Sequence, residues 1–211
     1  MDKHSQKNGI IEGTIWKQLL IFFFPILVGT FFQQLYNTVD AVIVGQFAGK
    51  EALSSVGGSS SQIINFVVGF FTGLSAGATV IISQFYGAND ANKIHRALHT
   101  AYAFSIVGGI IAGIIGIALT VPVMKLMNTP EELMHDSAMY VMIYFGGLVF
   151  IFVYNMGSAI LRAIGDSKRP LYYLIICCFI NIVLDIVFVS VLKLGVLGVA
   201  VATFISQLVS A

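Results

Sequence analysis

The chain has 211 residues, 57% hydrophobic and only 10% charged, with a net charge of +1 and a mean hydropathy of +0.91. Those values exclude a soluble domain, and basic residues scattered through loops give no nucleic-acid patch, so no nucleic-acid partner is expected. Long apolar runs also exclude a membrane β-barrel, whose strands alternate every second residue. What remains is an all-α polytopic membrane protein whose main partner is the lipid bilayer.

Residues 1–15 form an N-terminal segment ahead of the first apolar run, which extends from Trp16 to about Val44. That run is too long for the apolar part of a cleavable signal peptide and is expected to persist as the first helix. Hydrophobic windows place six helical segments at 16–44, 53–85, 94–124, 135–162, 171–192 and 196–211. Several exceed the roughly 20 residues a span requires, which implies tilt or extension past the lipid. Pro25 should bend the first, because proline removes a backbone donor and crowds the preceding turn. Turn chemistry marks the connections at Gly45 to Gly49, Gly87-Ala88-Asn89-Asp90, Asn128-Thr129-Pro130, Gly165-Asp166 and Lys193-Leu194-Gly195. The sixth segment reaches Ala211 without a basic flank and is expected to be cut short.

Eight of the eleven Lys and Arg residues fall on the N-terminal side and the even-numbered loops: Lys3, Lys7, Lys17, Lys93, Arg96, Arg162, Lys168 and Arg169. The odd-numbered loops hold Lys50, Lys125 and Lys193 alone. This asymmetry puts the N-terminus in the cytoplasm. Gly69, Gly73 and Gly77 in the second segment, and Gly109 with Gly113 in the third, read as rows for close helix packing. Cys177 and Cys178 are adjacent in an apolar run and read as packing residues. His95, His99, Lys93 and Arg96 at the start of the third segment read as a solvated interfacial turn, with anionic-lipid contact as the alternative.

Asp40 and Asp185 are the exceptions, ionisable groups inside apolar segments, where such side chains face a cavity or partner and carry function. Helical rise puts Asp40 roughly 6 Å and Asp185 roughly 10 Å from the outer helix ends. Thr203 and Tyr140 sit at comparable depth on two other segments. Gln33, Tyr36, Asn37 and Asp40 follow i, i+3, i+4, i+7 spacing and share one helix face. Asn181 with Asp185, and Thr203 with Gln207, each repeat at i, i+4. Such polar stripes must face protein or water and never acyl chains. Two carboxyls together in a low dielectric cannot both ionise cheaply, so the pair can hold a proton. With Asn181 and Thr203 as neutral oxygen donors, the same cluster could cradle Na⁺. A satisfied interhelical network without a transport role is the remaining possibility.

From about Glu12 to Ala211 the sequence resembles the N-terminal lobe of a MATE (multidrug and toxic compound extrusion) transporter. The resemblance rests on the stretch PILVGTFFQQLYNTVDAVIVG from Pro25 to Gly45 and on Gln84-x-x-Gly87-Ala88. It rests also on Arg162-Ala163-x-Gly165-Asp166-x-x-Arg169-Pro170 and on Asn181-x-x-x-Asp185 followed eighteen residues later by Thr203. It implies a six-helix bundle forming one of two lobes in a twelve-helix protein of the plasma (inner) membrane. The activity implied is export of cationic amphipathic compounds by antiport against H⁺ or Na⁺, with no other cofactor and no enzymatic reaction. It further implies a coupling-ion site at Asp40, Asn181, Asp185 and Thr203, and a pocket tyrosine at Tyr140. A complete member is about twice this length, so a C-terminal lobe or a second copy is an expected partner. The alternatives are a flippase for lipid-linked glycans, which should carry basic cavity residues that none of these segments shows, and a non-transporting membrane scaffold.

Overall fold

The computed structural model describes residues 14–211, so Lys3, Lys7 and nearly all of the N-terminal segment lie outside the described residues. The described residues are helical and contain no strand. Helix α1 spans Ile15–Ile43 and continues as a π-helical segment, Val44–Ala48, before the chain reverses at Gly49. Gly49 takes φ 94°, a left-handed conformation that favours glycine. Helix α2, Lys50–Gly57, and α3, Ser59–Gly87, together form the second expected segment, interrupted at Gly58. Helix α4 is Ala91–Leu126. Helices α5, Glu131–Gly146, and α6, Leu148–Ala163, replace the single expected helix over 135–162 and are bent by 49°. Helix α7, Lys168–Asp185, runs into a second π-helical segment, Ile186–Val191, and α8 is Gly195–Ser210.

Helices cover the six expected segments, but the second and fourth are each broken in two, and the first and fifth each end in a π-helical stretch. The first continues past Val44 as the π-helical segment to Ala48, and Pro25 lies within α1. Four helices are long and apolar enough to cross a bilayer among the described residues, five with the bent α5–α6 pair. Helix α8 is apolar but shorter.

The core forms where α6 lies against α3 and α4, α1 against α7, and α8 against α5 and α7. Phe152, Leu148, Val141 and Val199 are fully enclosed there. Close approach depends on the α4 glycines: a Cβ on Gly109 would meet the Val149 backbone at 2.7 Å, and one on Gly113 the Phe145 carbonyl at 2.8 Å. The α3 row behaves differently. A Cβ on Gly69, Gly73 or Gly77 would meet nothing within 4 Å, so this row does not pack within the bundle as expected. Its spacing permits a close neighbour, and none of the described helices occupies that face.

Large apolar side chains are exposed on the outside of the bundle, including Ile110, Ile111 and Ile114 on α4 and Ile176, Phe179 and Val183 on α7. Only lipid accommodates so wide an apolar belt.

Candidate functional site

Asp40 and Asp185 both sit just ahead of a π-helical segment. The Asp185 carboxylate ends α7, and Asp40 lies one turn before the end of α1. In a π turn the amide bonds five residues back, as Gly49 N–H does to the Val44 carbonyl (3.2 Å) and Leu192 N–H to the Val187 carbonyl (2.9 Å). Such turns are uncommon and collect at functional positions. The two π segments touch each other, which brings the last turns of α1 and α7 together.

The result is one buried polar cluster. Asn181 and Asp185 are fully enclosed, Thr203 is 2% exposed, and Asp40 is 9% exposed. The Asp40 and Asp185 carboxyls are close enough to interact electrostatically, with no hydrogen bond between them. Tyr140 of α5 is buried with them. Thr203 Oγ1, both Asp185 oxygens, Asp40 Oδ1 and both side-chain polar atoms of Asn181 nevertheless lack a well-formed hydrogen bond among the described residues. Each buried polar atom left in that condition costs about 1–3 kcal/mol. A cluster of oxygens with that much unused capacity fits a proton or a hard monovalent cation, and it fits an apolar packing role poorly.

A cavity of about 280 Å³ has Arg162 and Ser167 in its wall, and none of Asp40, Asn181, Asp185 or Thr203 lines it. Gln33 and Tyr36 line it from α1, Tyr144 and Tyr154 from α5 and α6, and Gln207 from α8. Gln207 reaches back to the α5–α6 break, where a Cβ on Gly147 would come within 2.6 Å of its Oε1. Tyr154 donates to the Pro170 carbonyl at 3.3 Å and ties α6 to α7 beside the cavity. Of the remaining sequence-predicted residues, Tyr140 is buried beside the acids and outside this cavity's wall. Asn37 is exposed, donates to Gln34 Oε1 (3.3 Å), and does not line the cavity.

Sequence reading missed Tyr144, Tyr154, Ser206 and Arg162. Tyr144 repeats Tyr140 at i+4 and was within reach of the face argument. Arg162 corrects the expectation that no basic residue lines the cavity: it stands in the last turn of α6 and is part of the cavity wall.

The family pattern MatE matches residues 25–187. A probable multidrug resistance protein of Bacillus subtilis strain 168, YoeA, is 32% identical over 201 residues, covering 93% of this chain and 43% of that protein. A second from the same organism, YpnP, is 33% identical over 197 residues, covering 93% and 44%. The solved structure of an outward-facing multidrug resistance MATE family transporter of the MOP superfamily superposes with a TM-score of 0.91 at 26% identity. It covers 99% of this chain and 46% of that one. The chain thus spans less than half the length of these relatives. Four of its described helices, five with the bent pair, are long and apolar enough to cross a membrane, and the chain belongs to the MatE family of transporters.

Proposed function

We propose that the chain serves secondary active efflux of cationic amphipathic compounds, driven by antiport against H⁺ or Na⁺, with Asp40, Asn181, Asp185 and Thr203 as the coupling-ion site. The observation that carries this reading is the enclosed carboxyl pair, surrounded by polar atoms with unused hydrogen-bonding capacity. Loading the pair with a proton or Na⁺ removes its net negative charge. An acid pair that alternates between loaded and unloaded forms biases the bundle between two conformations, which is what couples one flux to another. Gln33, Tyr36, Tyr140 and Gln207 would orient substrate or ion by neutral hydrogen bonds, and Asn37 would do so from the exposed face of α1.

The N-terminus is cytoplasmic in this reading, because basic residues concentrate on that side; the plasma membrane is what the family resemblance implies. Alternating access needs a second bundle, either a C-terminal lobe or a second copy of this chain. The relatives' names, both multidrug resistance proteins, support the substrate class. Arg162 in the cavity wall favours one other reading, transport of an anionic lipid-linked glycan.

The test is efflux of a cationic dye from cells or vesicles under an imposed proton or sodium gradient. Asp185→Asn should reduce gradient-driven efflux to background while the protein still inserts at normal abundance. Normal efflux by that variant would remove Asp185 from the coupling site. Efflux of a glycolipid analogue that fails in Arg162→Gln, with the dye untouched, would favour the second reading.

A further inference from the structure

Along the seam between α3 and α4 lie two apolar grooves, one in each half of the span. The outer one, about 600 Å³, is walled by Phe66, Phe70, Ile115 and Leu119 and has no basic residue in its lining. The inner one, about 590 Å³, runs past Leu74, Ile81, Phe85 and Phe104 and ends at Lys93 and Arg96. Gly77 deepens it, since a Cβ there would meet nothing within 4 Å. From Leu74 to Phe85 the groove follows α3 for roughly 16 Å of helical rise. That matches one leaflet of a hydrocarbon core about 30 Å thick.

The charges at its end are not equivalent. Lys93 is paired with Asp90 at 3.0 Å and sits 5.8 Å above the Phe85 ring, which fixes it at the mouth and offsets its charge. Arg96 is exposed and has no ionic partner among the described residues. A planar guanidinium left free at headgroup depth, above an apolar groove one acyl chain long, is complementary to a phosphodiester with its tail.

We propose that the inner α3–α4 groove binds an anionic phospholipid, its acyl chain along Leu74, Ile81 and Phe104 and its phosphate on Arg96, with Lys93 as the second donor. The outer groove, lacking cations, takes acyl chains without regard to headgroup charge. Assignment to the cytoplasmic leaflet rests on the orientation proposed above; the site itself does not.

Native mass spectrometry of the detergent-purified protein, with phosphatidylglycerol and phosphatidylcholine of identical chains, tests it. Phosphatidylglycerol should be retained preferentially, and Arg96→Gln should weaken that retention about fivefold, the effect of one surface cation on an anionic lipid. Lys93→Gln should have a smaller effect, and Lys125→Gln, on the opposite side, none. Gly77→Leu should reduce retention of both lipids at the inner groove. Unfolding midpoints in the same detergent show that each variant is folded. Equal retention of the two lipids, or undiminished phosphatidylglycerol preference in the Lys93→Gln/Arg96→Gln double variant, would overturn the proposal. Labelling of Asn92→Cys from the outside of intact cells would overturn the leaflet assignment alone, because lipid retention does not depend on orientation.

Discussion

A glycine in an apolar helix has opposite consequences according to what faces it. Gly109 and Gly113 are in contact with the backbone of Val149 and Phe145, so a larger side chain there must displace a helix. Gly113→Val is expected to cost about 1–3 kcal/mol through overpacking, seen as a lower unfolding midpoint in detergent. Gly73→Ala should leave the midpoint unchanged or raise it slightly, since nothing lies within 4 Å and alanine favours the helix. The two rows look alike in sequence, because G-x-x-x-G spacing states that close approach is possible and not which face turns inward. The acids were legible for the opposite reason. A carboxyl inside an apolar segment has few physically acceptable surroundings, so Asp40 and Asp185 could be placed in a shared interior from spacing and depth alone.

Helix interruptions were harder to read. Three Gly-Gly pairs occur inside helical segments: α2 gives way to α3 at Gly57-Gly58, and α5 to α6 at Gly146-Gly147, while Gly108-Gly109 stays within α4. Packing decides between them, since Gly108 and Gly109 rest on Phe152 and Val149 across a continuous contact with α6. The π segments after Asp40 and Asp185 left no compositional mark at all, being apolar and ordinary in sequence. The start of α4 was more transparent. Asp90 caps it by accepting from the Lys93 amide at 3.1 Å, and that amide and the Lys93 ammonium hold its carboxyl below the ordinary value. A carboxyl with a depressed pKa contributes stability above its unfolded value, near 3.9, and loses it as the pH falls through the lowered one. Asp90→Ala should therefore speed amide exchange in the first turn of α4 at neutral pH. The difference from wild type should fade only in strong acid.

The bundle as a whole has two unlike surfaces. Apolar residues of α4 and α7 form the lipid belt, whereas Gln34 and Asn37 on α1 and Asn65 on α3 are exposed within spans. Lipid cannot satisfy such groups, so this side must meet water or a second bundle. The open glycine row of α3 belongs to a helix that carries part of the same surface. In a Cys177→Ala/Cys178→Ala background, Gln34→Cys and Asn65→Cys should react with a hydrophilic maleimide in membranes. Ile110→Cys and Phe179→Cys should not. Labelling of all four alike would dissolve the distinction between the two sides. The spacing on α1 put Asn37 on a polar face but said nothing of Gln34, nor of Asn65 on α3, which is flanked by Ile64 and Phe66.

Ion release on substrate binding bears on the acid pair without needing a gradient. The purified protein, together with whatever second bundle it carries in its native membrane, would be titrated with a cationic substrate in weakly buffered medium while proton and sodium activity are followed. Wild type should release one of the two ions as substrate binds, and Asp40→Asn and Asp185→Asn should bind the substrate with release abolished or sharply reduced. Undiminished release from both variants would place the coupling ion elsewhere and leave the buried carboxyls a structural role.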